Sequence, residues 1–139
     1  VARKILILSR EIGLKLEFAD ITIEKIIPSA CEAAPTVDAF FEELDKANSY
    51  FEAMVNEAYA EKKVLRYIAK LENQKISIGL RAVGADHPFY QMDGADNVIA
   101  FTTKRYHDRP LVIKGPGAGA EVTASGVFAD IVSIGSYLS

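Results

Sequence analysis

Residues that mark redox, metal and nucleic-acid chemistry most sharply are scarce in this sequence. A single cysteine, Cys31, allows no internal disulfide and gives no sign of an oxidising compartment. Two histidines, His87 and His107, cannot build a recognisable zinc site with that one cysteine, so no metal is expected. The 16 Lys and Arg are outnumbered by 19 Asp and Glu, for a formal net charge of -3. No cationic surplus is left to neutralise phosphates, which argues against a nucleic-acid or anionic-membrane partner. Lys62, Lys63 and Arg66 form the one local basic cluster, and a solvated helix end accounts for it. No apolar run approaches the ~20 residues that span a bilayer. The basic, apolar and small-residue order of a signal peptide is missing at the start, where Val1 already belongs to an amphipathic pattern. The expectation is a cytoplasmic protein, represented here by a piece whose beginning lies elsewhere.

What is present reads as one ordinary domain of 139 residues, half of them hydrophobic and a quarter charged. Residues 1–12 predict a helix, with Val1, Ile5, Leu8 and Ile12 as its apolar stripe and Arg3 and Arg10 opposite. Gly13 supplies the stop. Leu16 to Ile27 predicts a strand, because Ile21, Ile23 and Lys25 alternate with Thr22 and Glu24. Pro28 and Pro35 bracket a loop containing Cys31. Thr36 can cap a helix that buries Ala39, Phe40 and Leu44, and Asn48-Ser49 interrupts it. A further helix from about Tyr50 to Lys62 would bury Phe51, Met54, Val55 and Ala58.

Val64 to Leu71 predicts a strand and Asn73-Gln74 a turn. Ile76, Ile78 and Leu80 share one face of the next strand against Ser77, Gly79 and Arg81, so the two strands read as a hairpin. Gly84 to Asn97, with Asp86, Pro88, Asp93 and Gly94, is a loop by composition. Strands follow at Val98–Tyr106 and Leu111–Lys114 around a turn at Asp108-Arg109-Pro110, then a Gly-rich turn from Gly115 to Gly119 and a helix over Ala120–Leu138. This order predicts an α+β fold: a mixed, largely antiparallel sheet with helices on one face. Strands such as Val64–Leu71, apolar on both faces, leave room for a partner subunit.

Two motifs carry chemistry. In VARKILILSREIG, Lys4 lies at the border of the predicted apolar stripe. An amine there can be partly desolvated, which favours its neutral form and suits proton transfer. The plainer alternative is a lysine with its stem along the core edge and its head in water. In KGPGAGAEVTASGVFAD, Gly117 and Gly119 suggest the start of a dinucleotide fingerprint. Val122 stands where the third glycine belongs, and the helix leaves no room for the strand such a unit requires. Small residues there permit close backbone approach, and free N–H groups at a helix start favour an anion or polar ligand; taken alone, a tight strand-to-helix turn is the better reading of the same residues. Val122, Gly126, Ala129 and Ser133 share a flat helix face suited to packing on another sheet.

At these residues the sequence resembles the homoserine dehydrogenase family, and within it the bifunctional aspartokinase–homoserine dehydrogenases most closely. VARKILILSREIG is similar to the family helix whose Asp-Val-Ala-Arg-Lys run carries a catalytic lysine. PLVIKGPGAGAEVTASGVFADI is similar to its closing strand, Gly-rich turn and returning helix, and LRYIAKLENQKISIGLRAV, DHPFY and NVIAFTTKRY to the part between. The resemblance implies an enzyme of threonine and methionine biosynthesis that interconverts L-aspartate 4-semialdehyde and L-homoserine with NAD or NADP. It implies that Lys4 is the catalytic proton donor and that the Gly119 backbone lies near the nicotinamide. Residues 1–115 would form the catalytic, substrate-binding and dimerising domain, and residues 116–139 would return to a Rossmann domain lying upstream. It also implies a homodimer or larger homo-oligomer, and a piece inactive alone. The family motif's Asp is not in this sequence, and Glu121, His87 and His107 take no role. A small-molecule-binding or dimerising module of an amino-acid pathway is the alternative; the helical pair from Thr36 to Lys63 fits such a compact βαβ module poorly.

Overall fold

A computed structural model describes residues 1–92, 94 and 96–138; the expected loop position Asp93 lies outside them. The chain divides into two compact units, Val1–Tyr90 and Gln91–Ser139.

In the first unit, helix α1 runs over Ala2–Glu11 and ends at Gly13, whose φ of +89° is the left-handed backbone that glycine tolerates best. A single 3-10 turn at Phe18–Asp20 leads into β1, Ile21–Ile23. The strand expected over Leu16–Ile27 is therefore only three residues long. The Asp20 carboxylate accepts the Glu17 N–H at 2.8 Å, a local bond that takes the backbone out of the ladder before Ile21. After Ile23 one more ladder bond forms, Glu24 N–H to Ile78 O at 2.8 Å, and the chain then turns through Pro28 into α2, Ser29–Glu32. That short helix replaces part of the expected loop and buries Cys31.

Thr36 caps α3, Val37–Lys46, its hydroxyl accepting the Ala39 N–H at 3.2 Å. Ala47 breaks the helical run, and α4 continues over Asn48–Ala60. Ala58 is its buried residue; Val55, expected inside, is exposed. The hairpin forms as predicted from β2, Val64–Glu72, and β3, Lys75–Val83. Asn73 and Gln74 both take positive φ, the requirement of a two-residue turn that follows the strand twist. Strand β1 adds to β3 in parallel, giving the order β1-β3-β2 with Ile21 beside Ile76 and Ile23 beside Ile78.

The core lies where α1 meets this sheet. Leu6, Ile21, Ile76 and Ile78 form its buried centre, flanked by Ala2, Ile5, Leu16, Ala69 and Leu71. The buried face of α1 is thus centred on Leu6 and Ser9; of the predicted stripe of Val1, Ile5, Leu8 and Ile12, Ile5 packs against this core while Val1 and Ile12 are both more than half exposed. Ser9 is accommodated in that interior because its hydroxyl donates to Leu6 O at 2.7 Å. Both α1 and α4 pack on β2.

The second unit holds an antiparallel pair, β4 (Asp96–Phe101) and β5 (Leu111–Pro116), followed by α5, Ala120–Leu138. Strand β4 begins two residues early and ends at Phe101 instead of Tyr106. Thr103 closes a local loop with Tyr106, its hydroxyl accepting the Tyr106 N–H at 3.1 Å, so those residues leave the ladder. Gly115 and Pro116, expected in the turn, pair with Asn97 and Asp96. The expected α+β class holds, but the described strands lie in two separate sheets instead of one. No described helix is long and apolar enough to cross a membrane.

Candidate active site

Lys4 sits in the first turn of α1, its N–H donating to Val1 O at 3.0 Å. On the helical wheel it lies roughly 150° from Leu6 and Ser9, so burial against the sheet turns it outward, and it is exposed. The residues flanking it include Val1, Ile7 and Leu8, of which Val1 and Ile7 are themselves exposed. Of the expected stripe, Ile5 packs against the core, Leu8 is half-buried, and Val1 and Ile12 stay exposed.

Gly119 belongs to the second unit. Its φ of +123° is a conformation side chains rarely adopt, and no atom lies within 4 Å of where a Cβ would stand. Its carbonyl accepts the Thr123 N–H at 3.1 Å and so opens α5. An open main chain at the head of a helix leaves room for the close approach of a polar group. No described residue of α5 is buried, and Val122, Val127, Phe128, Ile131 and Ile134 are all exposed.

Several polar contacts had no signal in the sequence. Arg66 on β2 donates from Nε to Phe89 O at 2.9 Å and from Nη2 to Tyr90 O at 2.8 Å, fixing the end of the first unit. Arg81 donates to both carboxylate oxygens of Glu24, and this holds the Glu24 carboxyl below its ordinary range. Lys114 reaches Gln91 O at 3.2 Å and Asp96 at 3.4 Å. Alternation and turn chemistry report which face a residue takes, but not which carbonyl a long side chain will reach. The histidines are local fixtures: His87 Nδ1 accepts the Phe89 N–H at 3.1 Å, and His107 lies 3.0 Å from Asp108. Among the described residues, no three His, Cys, Asp or Glu gather as a metal site.

The family model for homoserine dehydrogenase matches residues 1–132, a span that includes both α1 with Lys4 and the turn with Gly119. The chain belongs to the homoserine dehydrogenase family. The bifunctional aspartokinase/homoserine dehydrogenase 1 of Zea mays chloroplasts is 46% identical over 140 residues, covering 99% of this chain and 15% of that protein. The homoserine dehydrogenase of Schizosaccharomyces pombe is 42% identical over 141 residues, covering 99% and 38%. A crystal structure of a protein from Archaeoglobus fulgidus, assigned as a homoserine dehydrogenase, superposes with a TM-score of 0.65 at 25% identity, covering 96% of this chain and 34% of that one. The chain therefore spans well under half the length of each of these relatives.

Proposed function

We propose that this chain is the C-terminal catalytic portion of a homoserine dehydrogenase that interconverts L-aspartate 4-semialdehyde and L-homoserine with NAD or NADP. The carrying observation is the family match, which runs unbroken from the lysine helix α1 through the glycine turn before α5. Lys4 then acts as the proton donor. When the aldehyde is reduced, negative charge develops on its oxygen, and a nearby ammonium both stabilises and protonates it. When bound, the cofactor supplies the hydride, and the main chain at Gly119 meets its nicotinamide end. Residues 1–115 form the catalytic, substrate-binding and dimerising domain, and residues 116–139 belong with the nucleotide-binding domain.

A homodimer is part of the same reading. The sheet face opposite Ile76 and Ile78 carries Val64 and Ile68 alternating with Arg66 and Lys70, a mixed surface suited to a second copy. The reading also places the enzyme in the cytoplasm, with no nucleic-acid or membrane partner.

The test is homoserine-dependent reduction of NAD or NADP by the full-length protein, together with the reverse reaction on aspartate semialdehyde. Turnover in both directions is expected. Absence of turnover with both cofactors, in a folded full-length protein, overturns the proposal.

A further inference from the structure

The glycines at 115, 117 and 119 are set apart by different physical causes. Gly119 is required by its backbone, with φ at +123°. Gly115 has nothing within 4 Å of the place a Cβ would take, and its backbone is ordinary strand. Gly117 differs from both. It is not among the described residues of positive φ, so its backbone suits any amino acid. A methyl group placed there would instead fall on the Asn97 carboxamide, reaching Nδ2, Cγ and Oδ1. Asn97 lies on β4 beside Gly115 in the ladder, so its backbone anchors the strand while its side chain lies against Gly117. A planar amide can lie flat against a bare Cα, and only glycine leaves it that space.

We propose that Asn97 is a positioning residue for the turn before α5, its carboxamide packed on Gly117 so that the main chain at Gly119 keeps the form that meets the nicotinamide. The inference rests on the homoserine dehydrogenase reading and adds a residue that the family motifs did not single out. It makes Asn97 and Gly117 a matched pair: a side chain at 117 is harmful because Asn97 is there, and removing the amide relieves the harm.

The experiment is a double-mutant cycle in the full-length enzyme, comparing Asn97→Ala, Gly117→Ala and the combination. Two quantities are read: KM for the nicotinamide cofactor, and the affinity for ADP-ribose, which lacks the nicotinamide. Gly117→Ala should raise cofactor KM roughly tenfold through overpacking, with ADP-ribose affinity unchanged; Asn97→Ala should raise it by a smaller factor, and the double variant should fall back to the level of Asn97→Ala. A double variant no better than Gly117→Ala, or ADP-ribose affinity falling in step with cofactor KM, overturns the proposal. If Gly117→Ala does not fold, Asn97→Ala decides: a selective rise in cofactor KM supports the role, and an unchanged KM removes it. A wild-type protein inactive on homoserine would sink the enzyme reading separately. The pairing is then read from melting temperatures, where a double variant melting above Gly117→Ala supports it and one melting no higher overturns it.

Discussion

Glu24 and Arg81, 57 positions apart in the chain, face each other as a forked pair, each Arg81 terminal nitrogen on its own carboxylate oxygen. The pair ties the residue that follows β1 to β3, across the parallel register that joins those strands. Because Arg81 stays charged, the folded state holds the Glu24 carboxyl below its ordinary value of 4.5, chiefly through the hydrogen bond. A carboxyl depressed in the folded state adds stability that is present above its unfolded value and lost as pH falls through the lower folded one. Glu24→Gln should therefore melt below wild type at pH 7, and the gap should close as the pH drops beneath 4.5. Thermal melts over that range check it, and a gap that does not change with pH contradicts it.

Lys4→Ala in the full-length enzyme should lower kcat by roughly 10²–10⁴-fold, the range of a lost general acid, with cofactor affinity nearly unchanged. Because Lys4 is exposed on α1, the melting temperature should move far less than for a core substitution. Turnover that survives the substitution would remove the lysine from the mechanism.

Gly119→Ala places a side chain where there is space but the backbone is wrong. The strain, of order 1–3 kcal/mol, is expected to appear as a raised cofactor KM together with a modest loss of stability. Gly115→Ala is the control, since it meets neither an atom nor a forbidden angle, and both quantities should stay near wild type.

Arg66→Met should destabilise the first unit by about 1–2 kcal/mol, because the carbonyls of Phe89, Tyr90 and Leu65 lose a charged donor. Arg66→Lys should recover little, as one ammonium cannot reproduce the planar fork onto Phe89 O and Tyr90 O. Denaturant titration of both variants reads the difference; an Arg66→Lys protein as stable as wild type would show that the charge alone suffices.

Ile76→Ala or Ile78→Ala should cost about 2–5 kcal/mol, the range for emptying a closed core site. Both side chains are almost fully buried between α1 and the sheet. The same change at Ile99 on β4, which is more than a third exposed, should cost far less.

Much of this architecture was legible because it is governed by local rules. Thr36 at a cap, Gly13 after a helix, Asn73-Gln74 between alternating strands and the limits of α5 all emerged where residue chemistry placed them. What failed was decided by neighbours distant in sequence or by side chains competing for the backbone. The stripe on α1 turned because Ala2, Ile5, Leu6 and Ser9 fit the sheet better than Val1 and Ile12, a choice periodicity does not make when both faces are apolar. Strands β1 and β4 were shortened by Asp20 and Thr103, whose local bonds displaced ladder pairing. At the candidate site, Lys4 and Gly119 enter through the resemblance of their motifs, whereas Asn97 looked like loop composition until its register with Gly115 was known.

The parallel seam between β1 and β3 also sets an order of events in time. Strands β2 and β3 are joined by two residues and can zip as soon as both exist, whereas Ile21 must wait roughly fifty residues for Ile76 and cross the entropy of that closure. Until then Leu6 and Ile21 have no buried counterpart, so the helix bearing Lys4 is expected to settle after the β2–β3 hairpin during refolding, an order that pulsed hydrogen exchange would read.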